Sequence, residues 1–228
     1  GTVTREDVQR TAGSCAHGWQ PFRGVRRSMA ENMTRAGREV VSASVTDRAD
    51  TSAWFGRHPP LLRLVLGVLH ACAAEPALNC HFDARQMARR PSSQVHLGIA
   101  TETGDGLLVP VLRDAAGQAA QSLPSLLDSL QQQAEQRKLS PDQLRGATIT
   151  LSNFGAIGGE HAAMVVMPPQ VAIVGAGRIR RQPWAVDDRI EARPVLPLSL
   201  SIDHRAVTGV EAARFMRALI EHLQLPDY

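Results

Sequence analysis

Between Leu196 and Ile202 the chain alternates: Leu196, Leu198, Leu200 and Ile202 are apolar while Ser199 and Ser201 are polar. A period of two assigns the segment to a β-strand with one face turned into a core and the serine face open, a half-buried strand. Slipping the register by one residue would turn every leucine to solvent, so burial decides where the strand's end points. At that end stand Asp203-His204-Arg205. Beyond Thr208 and Gly209, the spacing of Ala212, Phe215, Met216, Leu219 and Leu223 predicts a helix over 209–223. A histidine between two opposite charges is thus carried by a strand of set register, where a side chain is aimed rigidly. With an ordinary pKa near about 6.5 it could serve as a base around neutral pH. A structural histidine held between carboxylate and guanidinium fits the same residues.

A second cluster follows the same plan. The strand predicted over Thr148–Asn153 ends in Ser152-Asn153, and Gly155, Gly158 and Gly159 come directly after. Glycines there allow backbone geometries closed to other residues. A hydroxyl at such a strand end can donate to a developing oxyanion, or simply satisfy nearby backbone groups.

Elsewhere the periodicity predicts a helix from Val25 to about Arg38, with Val25, Met29 and Met33 on one side, and a strand over Val41–Val45. Leu61–Ala74, apolar on nearly all sides, reads as a buried helix. Strands are expected at Val95–Thr101 and Leu107–Leu112 on either side of the turn Thr103-Gly-Asp-Gly106, and an amphipathic helix at Ser122–Arg137. Further strands are expected at Ala163–Val166, Val171–Val174 and Val195–Ile202. Long helices among non-adjacent strands point to an α/β (α+β) two-layer sandwich, a mixed sheet with flanking helices.

Composition removes several classes of function. With 43% hydrophobic residues in 228, the chain can build a real core, and its longest apolar run is interrupted by Arg63 and His70, which argues against a membrane span. A net charge of +3 from dispersed arginines, with aromatics at 4%, argues against a nucleic-acid surface. Cys15, Cys72 and Cys80 form neither a CxxC pair nor a disulfide framework, and Cys80-His81 lacks the companions a metal site needs. No GxSxG elbow is present, and Gly175-Ala-Gly177 lacks the last glycine of a dinucleotide fingerprint. Thr4-Arg-Glu-Asp7 has the form of a capping box opening one short helix, followed by a glycine-rich stretch to Gly24.

Six segments carry a family resemblance: RRSMAENMTR at 26–35, GLLVPVLRDA at 106–115, TLSNFGAIGG at 150–159, PPQVAIVGAGRI at 168–179, RPVLPLSLS at 193–201 and DHRAVTG at 203–209. In this order they resemble the catalytic domain of the dihydrolipoamide acyltransferases, the E2 components of 2-oxo acid dehydrogenase complexes, which share the chloramphenicol acetyltransferase-like fold. The resemblance implies transfer of an acyl group from S-acyl-dihydrolipoyl to coenzyme A, with no metal. His204 would be the general base for the thiol, and Ser152 the donor to the oxyanion. The two would meet across the interface of a homotrimer, from which cubic or dodecahedral cores are built in the family. It further implies residues 1–12 as the end of a peripheral subunit-binding domain, 13–21 as linker and 22–228 as the acyltransferase domain. A lipoyl domain, and contacts to E1 and E3 enzymes, would lie upstream. The compartment would be the bacterial cytoplasm, or the mitochondrial matrix in a eukaryote.

The chain departs from the family pattern in four places. Thr208 replaces the Asp or Asn of DHRxx[D/N]G, which implies an altered tuning of the base and reduced activity. Phe55-Gly-Arg-His-Pro-Pro60 stands where a longer basic helix is usual, which removes part of a coenzyme A surface. GGTxFTPI becomes Gly158-Gly-Glu-His-Ala-Ala-Met164, altering a channel wall. A leucine run at the C-terminus is replaced by Leu225-Pro-Asp-Tyr228, in keeping with an assembly smaller than the family's shells. These departures define the alternative reading, an acyltransferase-like scaffold with weak or no catalysis.

Overall fold

A computed structural model describes residues 19–104 and 106–226; the expectations for residues 1–12 and most of the linker lie outside them. The elements are α1 (Gly24–Glu39), β1 (Ser42–Asp50), α2 (Pro60–Ala74), β2 (Cys80–Asp83), β3 (Ala88–Pro91), β4 (Leu97–Thr103), β5 (Gly106–Leu108) and β6 (Val111–Leu112). They continue with α3 (Leu123–Glu135), β7 (Ile149–Asn153), β8 (Ala172–Ala176), β9 (Arg180–Val186), β10 (Arg189–Asp203) and α4 (Gly209–Leu223).

One mixed sheet runs β1-β10-β8-β7-β4-β5, with β6 paired to β4 and β9 to β10; β2 and β3 form a separate hairpin. Its parallel pairs are β4–β7 and β7–β8. Leu200, Val174, Leu151 and Ile99 are neighbours across four strands, so their side chains share a face. All four are buried in one core with Leu64, Val68, Phe215 and Leu219 of α2 and α4. The two-layer α/β sandwich with flanking helices is therefore the architecture observed.

The end of α4 is built into that core. The Trp54 indole donates to the Leu223 carbonyl, and Arg63, buried in α2, donates to the carbonyls of His222 and Leu225 and lies over the Trp54 ring. These donors satisfy carbonyls that a helix end leaves without an intrahelical partner.

Four expectations need correction. Leu107–Leu112 is two short strands rather than one, because Pro110 has no N–H to continue a ladder. Ala163–Val166 is not a strand: the Ala162 and Met164 N–H groups donate to the side chains of Ser199 (3.1 Å) and Ser201 (3.0 Å). For the same reason β10 is not half-buried; Ser199 and Ser201 are fully covered by this crossing segment. Finally, β10 is longer than its alternation and begins as an exposed ribbon with β9, which sequence periodicity did not reveal. In α1 the helix is as predicted, but of its residues only Ala36 is buried in this chain and Met29 is exposed.

Candidate active site

β10 delivers Asp203 to the sheet end almost fully buried. Its carboxylate accepts from Nε (3.0 and 3.3 Å) and Nη2 (2.7 Å) of the Arg205 guanidinium and from the Arg205 and Val41 N–H groups, closing a tight turn. Arg205 in turn stacks over Phe82 of β2. The opposite charges flanking the histidine thus pair with each other and leave the imidazole exposed.

His204 is held at two points. Its N–H donates to the Val41 carbonyl at 2.8 Å, and its ring Nδ1 lies 3.0 Å from the Val207 carbonyl. A carbonyl oxygen only accepts, so Nδ1 must carry a proton, and in the neutral ring Nε2 then holds the lone pair. That is the tautomer a general base requires. Thr208 is the N-cap of α4: its hydroxyl accepts from the Glu211 N–H and donates to Glu211 Oε2 at 2.9 Å. It is directed at Glu211 rather than at His204.

Ser152 stands on β7 level with Gly175 of β8, which is level with Ser199 of β10. Its side chain shares the sheet face opposite the helices. Among the described residues no hydrogen bond engages its hydroxyl. The loop after it is held backbone to backbone. A Cβ on Gly155 would collide with the Gly177 carbonyl, and one on Gly177 with the Glu160 carbonyl. Arg178 locks the turn by donating to the carbonyls of Gly155 (3.1 Å), Ala156 (3.2 Å) and Ile157 (3.0 Å).

Ser152 and His204 are not brought together within one chain. β7 and β10 run antiparallel with β8 between them, and His204 lies five residues beyond the level of Ser152. At roughly 3.3 Å per residue and 4.8 Å per strand, the two are about 20 Å apart.

Among the described residues, the two cysteines are poor nucleophiles. Burial pushes the Cys72 thiol up to about 12. Burial likewise raises Cys80 to about 11, only partly offset by Arg89. Neither is a thiolate near neutral pH. Cys15 lies outside the described residues. Glu211 behaves oppositely. Burial alone would raise its carboxyl, but hydrogen bonds from Thr208 and Arg89 bring it below the ordinary value.

Arg89, Arg178 and Glu211 escaped the sequence reading. For Glu211 a signal existed: Thr208-Gly-Val-Glu211 has the capping-box form also seen at Thr4–Asp7. For the two arginines there was none, since their partners lie far off in sequence.

The fold is the chloramphenicol acetyltransferase type of α/β sandwich: a chloramphenicol acetyltransferase superposes with a TM-score of 0.56 over 85% of this chain and 94% of that one. At 15% identity that likeness concerns the fold alone. The sequence pattern of the 2-oxoacid dehydrogenases acyltransferase (catalytic domain) matches residues 60–228, and the chain belongs to this family. It is 32% identical to the lipoamide acyltransferase component of the branched-chain alpha-keto acid dehydrogenase complex of Pseudomonas putida, over 99% of this chain and 60% of that protein. Against the dihydrolipoyllysine-residue acetyltransferase component of the pyruvate dehydrogenase complex of Staphylococcus aureus it is 30% identical, over 89% of this chain and 50% of that one. The chain thus spans between half and three-fifths of the length of these relatives.

Azotobacter vinelandii dihydrolipoamide acetyltransferase superposes with a TM-score of 0.85 at 29% identity, covering 90% of both chains. That structure served to investigate a serine, a histidine and an asparagine in its catalytic mechanism. The cubic core of a pyruvate dehydrogenase multienzyme complex superposes with a TM-score of 0.80 at 30% identity, over 92% of this chain and 93% of that one.

Proposed function

We propose that this chain transfers an acyl group from an S-acyl-dihydrolipoyl substrate to coenzyme A, as the catalytic core of a 2-oxo acid dehydrogenase complex. The observation that carries the reading is the His204 tautomer: with Nδ1–H committed to the Val207 carbonyl, Nε2 is left as the acceptor. A thiol of pKa near about 8.5 is mostly protonated at neutral pH, so a placed base is useful. Nε2 takes the thiol proton, the sulfur attacks the thioester carbonyl directly, and the Ser152 hydroxyl donates to the oxyanion that forms. Collapse expels the dihydrolipoyl thiolate, which recovers the proton from His204.

The spacing of the three residues supports these roles. Ser152 precedes His204 by 52 residues and Thr208 follows it by four, the same separations as the serine, histidine and asparagine of the Azotobacter enzyme. Thr208 would then tune the rate from the position of that asparagine. Coenzyme A and the dihydrolipoyl group are substrates, the latter carried on a separate lipoyl domain.

About 20 Å within one chain is too far for one tetrahedral centre, so the pair must come from two copies. We infer a homotrimer in which the Ser152 end of one protomer faces the His204 end of the next. The bare face of α1 is then available for that contact. A cubic or dodecahedral core, E1 and E3 enzymes as partners, and a bacterial cytoplasmic setting are the fuller form of the same proposal.

Acyl transfer from acetyl-CoA to dihydrolipoamide tests it. His204→Ala should lose about 10²–10⁴-fold in kcat, and Ser152→Ala about 10²–10³-fold. Mixed assemblies of the two inactive variants should regain activity, because one protomer supplies the histidine and its partner the serine. A His204→Ala protein as fast as wild type sinks the base assignment. The scaffold alternative is favoured by the Thr208 hydroxyl being turned to Glu211, and an inactive wild-type trimer would establish it.

A further inference from the structure

We propose that Glu211 and Arg89 form a positioning relay for His204, in which the Glu211 carboxylate acts on the imidazole through one intervening peptide group. The proposal rests on His204 being the base. Its physical ground is the planarity of the Val207–Thr208 peptide: the Val207 C=O and the Thr208 N–H belong to one rigid unit and point in opposite directions. On one side, the carbonyl lies 3.0 Å from His204 Nδ1. On the other, the Thr208 N–H donates to Glu211 Oε2 at 2.7 Å. The carboxylate, the peptide and the imidazole are thus linked in series.

Two consequences follow from that linkage. Geometrically, gripping the N–H end fixes the plane, and with it the direction of the carbonyl that holds the histidine's tautomer. Electrostatically, a charged acceptor at the N–H polarises the peptide and makes its carbonyl a stronger acceptor for Nδ1–H. The carboxylate therefore does, one peptide removed, what an acidic group bonded directly to a histidine does in other catalytic sites.

Arg89 holds the carboxylate in place. It comes from β3, outside the main sheet, and its Nη1 donates to Glu211 Oε1 at 2.8 Å and to the Ala206 carbonyl at 3.0 Å. The Ala206–Val207 peptide is gripped too, since the Val207 N–H donates to the Asp203 carbonyl at 3.0 Å. Both peptide planes beside Val207 are therefore pinned, while its side chain is buried in the core. Arg89 is partly exposed, with 39% of its side chain accessible, yet both side-chain hydrogen bonds it makes converge on this one loop and the helix start that follows it.

The relay predicts a separation of kcat from KM. In the trimeric enzyme, Arg89→Gln and Glu211→Ala should each lower kcat by about tenfold to a hundredfold while KM for acetyl-CoA and dihydrolipoamide stays within about twofold. Glu211→Gln, which can still accept from Thr208 but has lost its charge, should fall less than Glu211→Ala. Arg89→Lys should recover part of the loss of Arg89→Gln, and Arg90→Gln, an adjacent charge outside the relay, should match wild type. Arg89→Gln keeps the capping box intact, so it remains informative if Glu211→Ala fails to fold.

Imidazole ¹⁵N shifts of His204 supply a readout independent of turnover: protonated Nδ1 in wild type, and a tautomer mixture in Arg89→Gln and Glu211→Ala. Wild-type kcat in both variants, or an unchanged Nδ1–H signature, overturns the relay. An active His204→Ala enzyme overturns instead the reading it rests on, and the ¹⁵N measurement still judges the geometry.

Discussion

The loops that follow β10 and β7 each present one side chain at a strand end, but they are made of different materials. The His204 loop is held by side-chain charge: Asp203 with Arg205, and Arg89 with Glu211. The Ser152 loop is held by close backbone approach at Gly155 and Gly177 and by one arginine on three successive carbonyls. A charge-built loop weakens in steps as partners are removed. A backbone-packed loop tolerates loss of a side chain but not the gain of a methyl group, because a carbonyl oxygen in the way cannot swing aside.

The largest expected effect tests that contrast directly. Gly177→Ala places a methyl against the Glu160 carbonyl and should cost about 3 kcal/mol, with acyl transfer reduced to the level of Ser152→Ala. Urea denaturation and the dihydrolipoamide assay measure the two. A stable, active Gly177→Ala protein would show that the Ser152 loop is as yielding as the other.

Next comes Asp203→Ala, which leaves Arg205 without its carboxylate and should cost about 2 kcal/mol, since Arg205 is still partly solvated. Thr208→Val should cost about 1 kcal/mol through the lost cap, seen in a lowered Tm. Thr208→Asn keeps the cap. If position 208 tunes the rate, that substitution raises kcat several-fold with Tm nearly unchanged; an unchanged kcat removes position 208 from the chemistry.

The smallest effect lies away from both loops, at the end of α4. The His222 ring is held below its ordinary pKa first by burial and then by His70 and Arg63. A depressed folded-state pKa means that the unfolded chain binds the proton more readily. Stability from this group is complete above about pH 6.5 and is lost as the pH falls through the folded value. His222→Gln should therefore flatten the decline of Tm between pH 7 and pH 5.

Much of the architecture was legible in the sequence because it depends on local periodicity. The helix over 209–223 and the buried helix α2 follow from the spacing of their apolar residues, and the end of β10 follows to within one residue, Asp203 rather than Ile202, from the end of an alternation. The misreadings have two separate causes. Ala163–Val166 has the apolar content of a strand, yet its neighbour is the side-chain face of β10, and hydroxyls replaced the ladder. β9 alternates only between half-buried and exposed positions, and its more covered face mixes Gln182 with Trp184 and Val186, so no apolar alternation marks it in the sequence.

The candidate site divides along the same line. His204 and Ser152 announce themselves as polar residues at the ends of strands whose registers burial dictates. Their supports do not: Arg89 reaches Ala206 across 117 positions of chain, and Arg178 reaches back 23 to Gly155.

From its own order of residues this protein determined which faces are buried, where the strands stop and which side chains stand at their ends, because those depend on neighbours two to four positions away. Only the tertiary structure decided which imidazole nitrogen keeps its proton, which guanidinium steadies the loop, and that the serine and histidine lie too far apart to meet in one chain. Hydrogen-bond direction and the sheet's strand order are properties of distant segments meeting, and no local pattern encodes them.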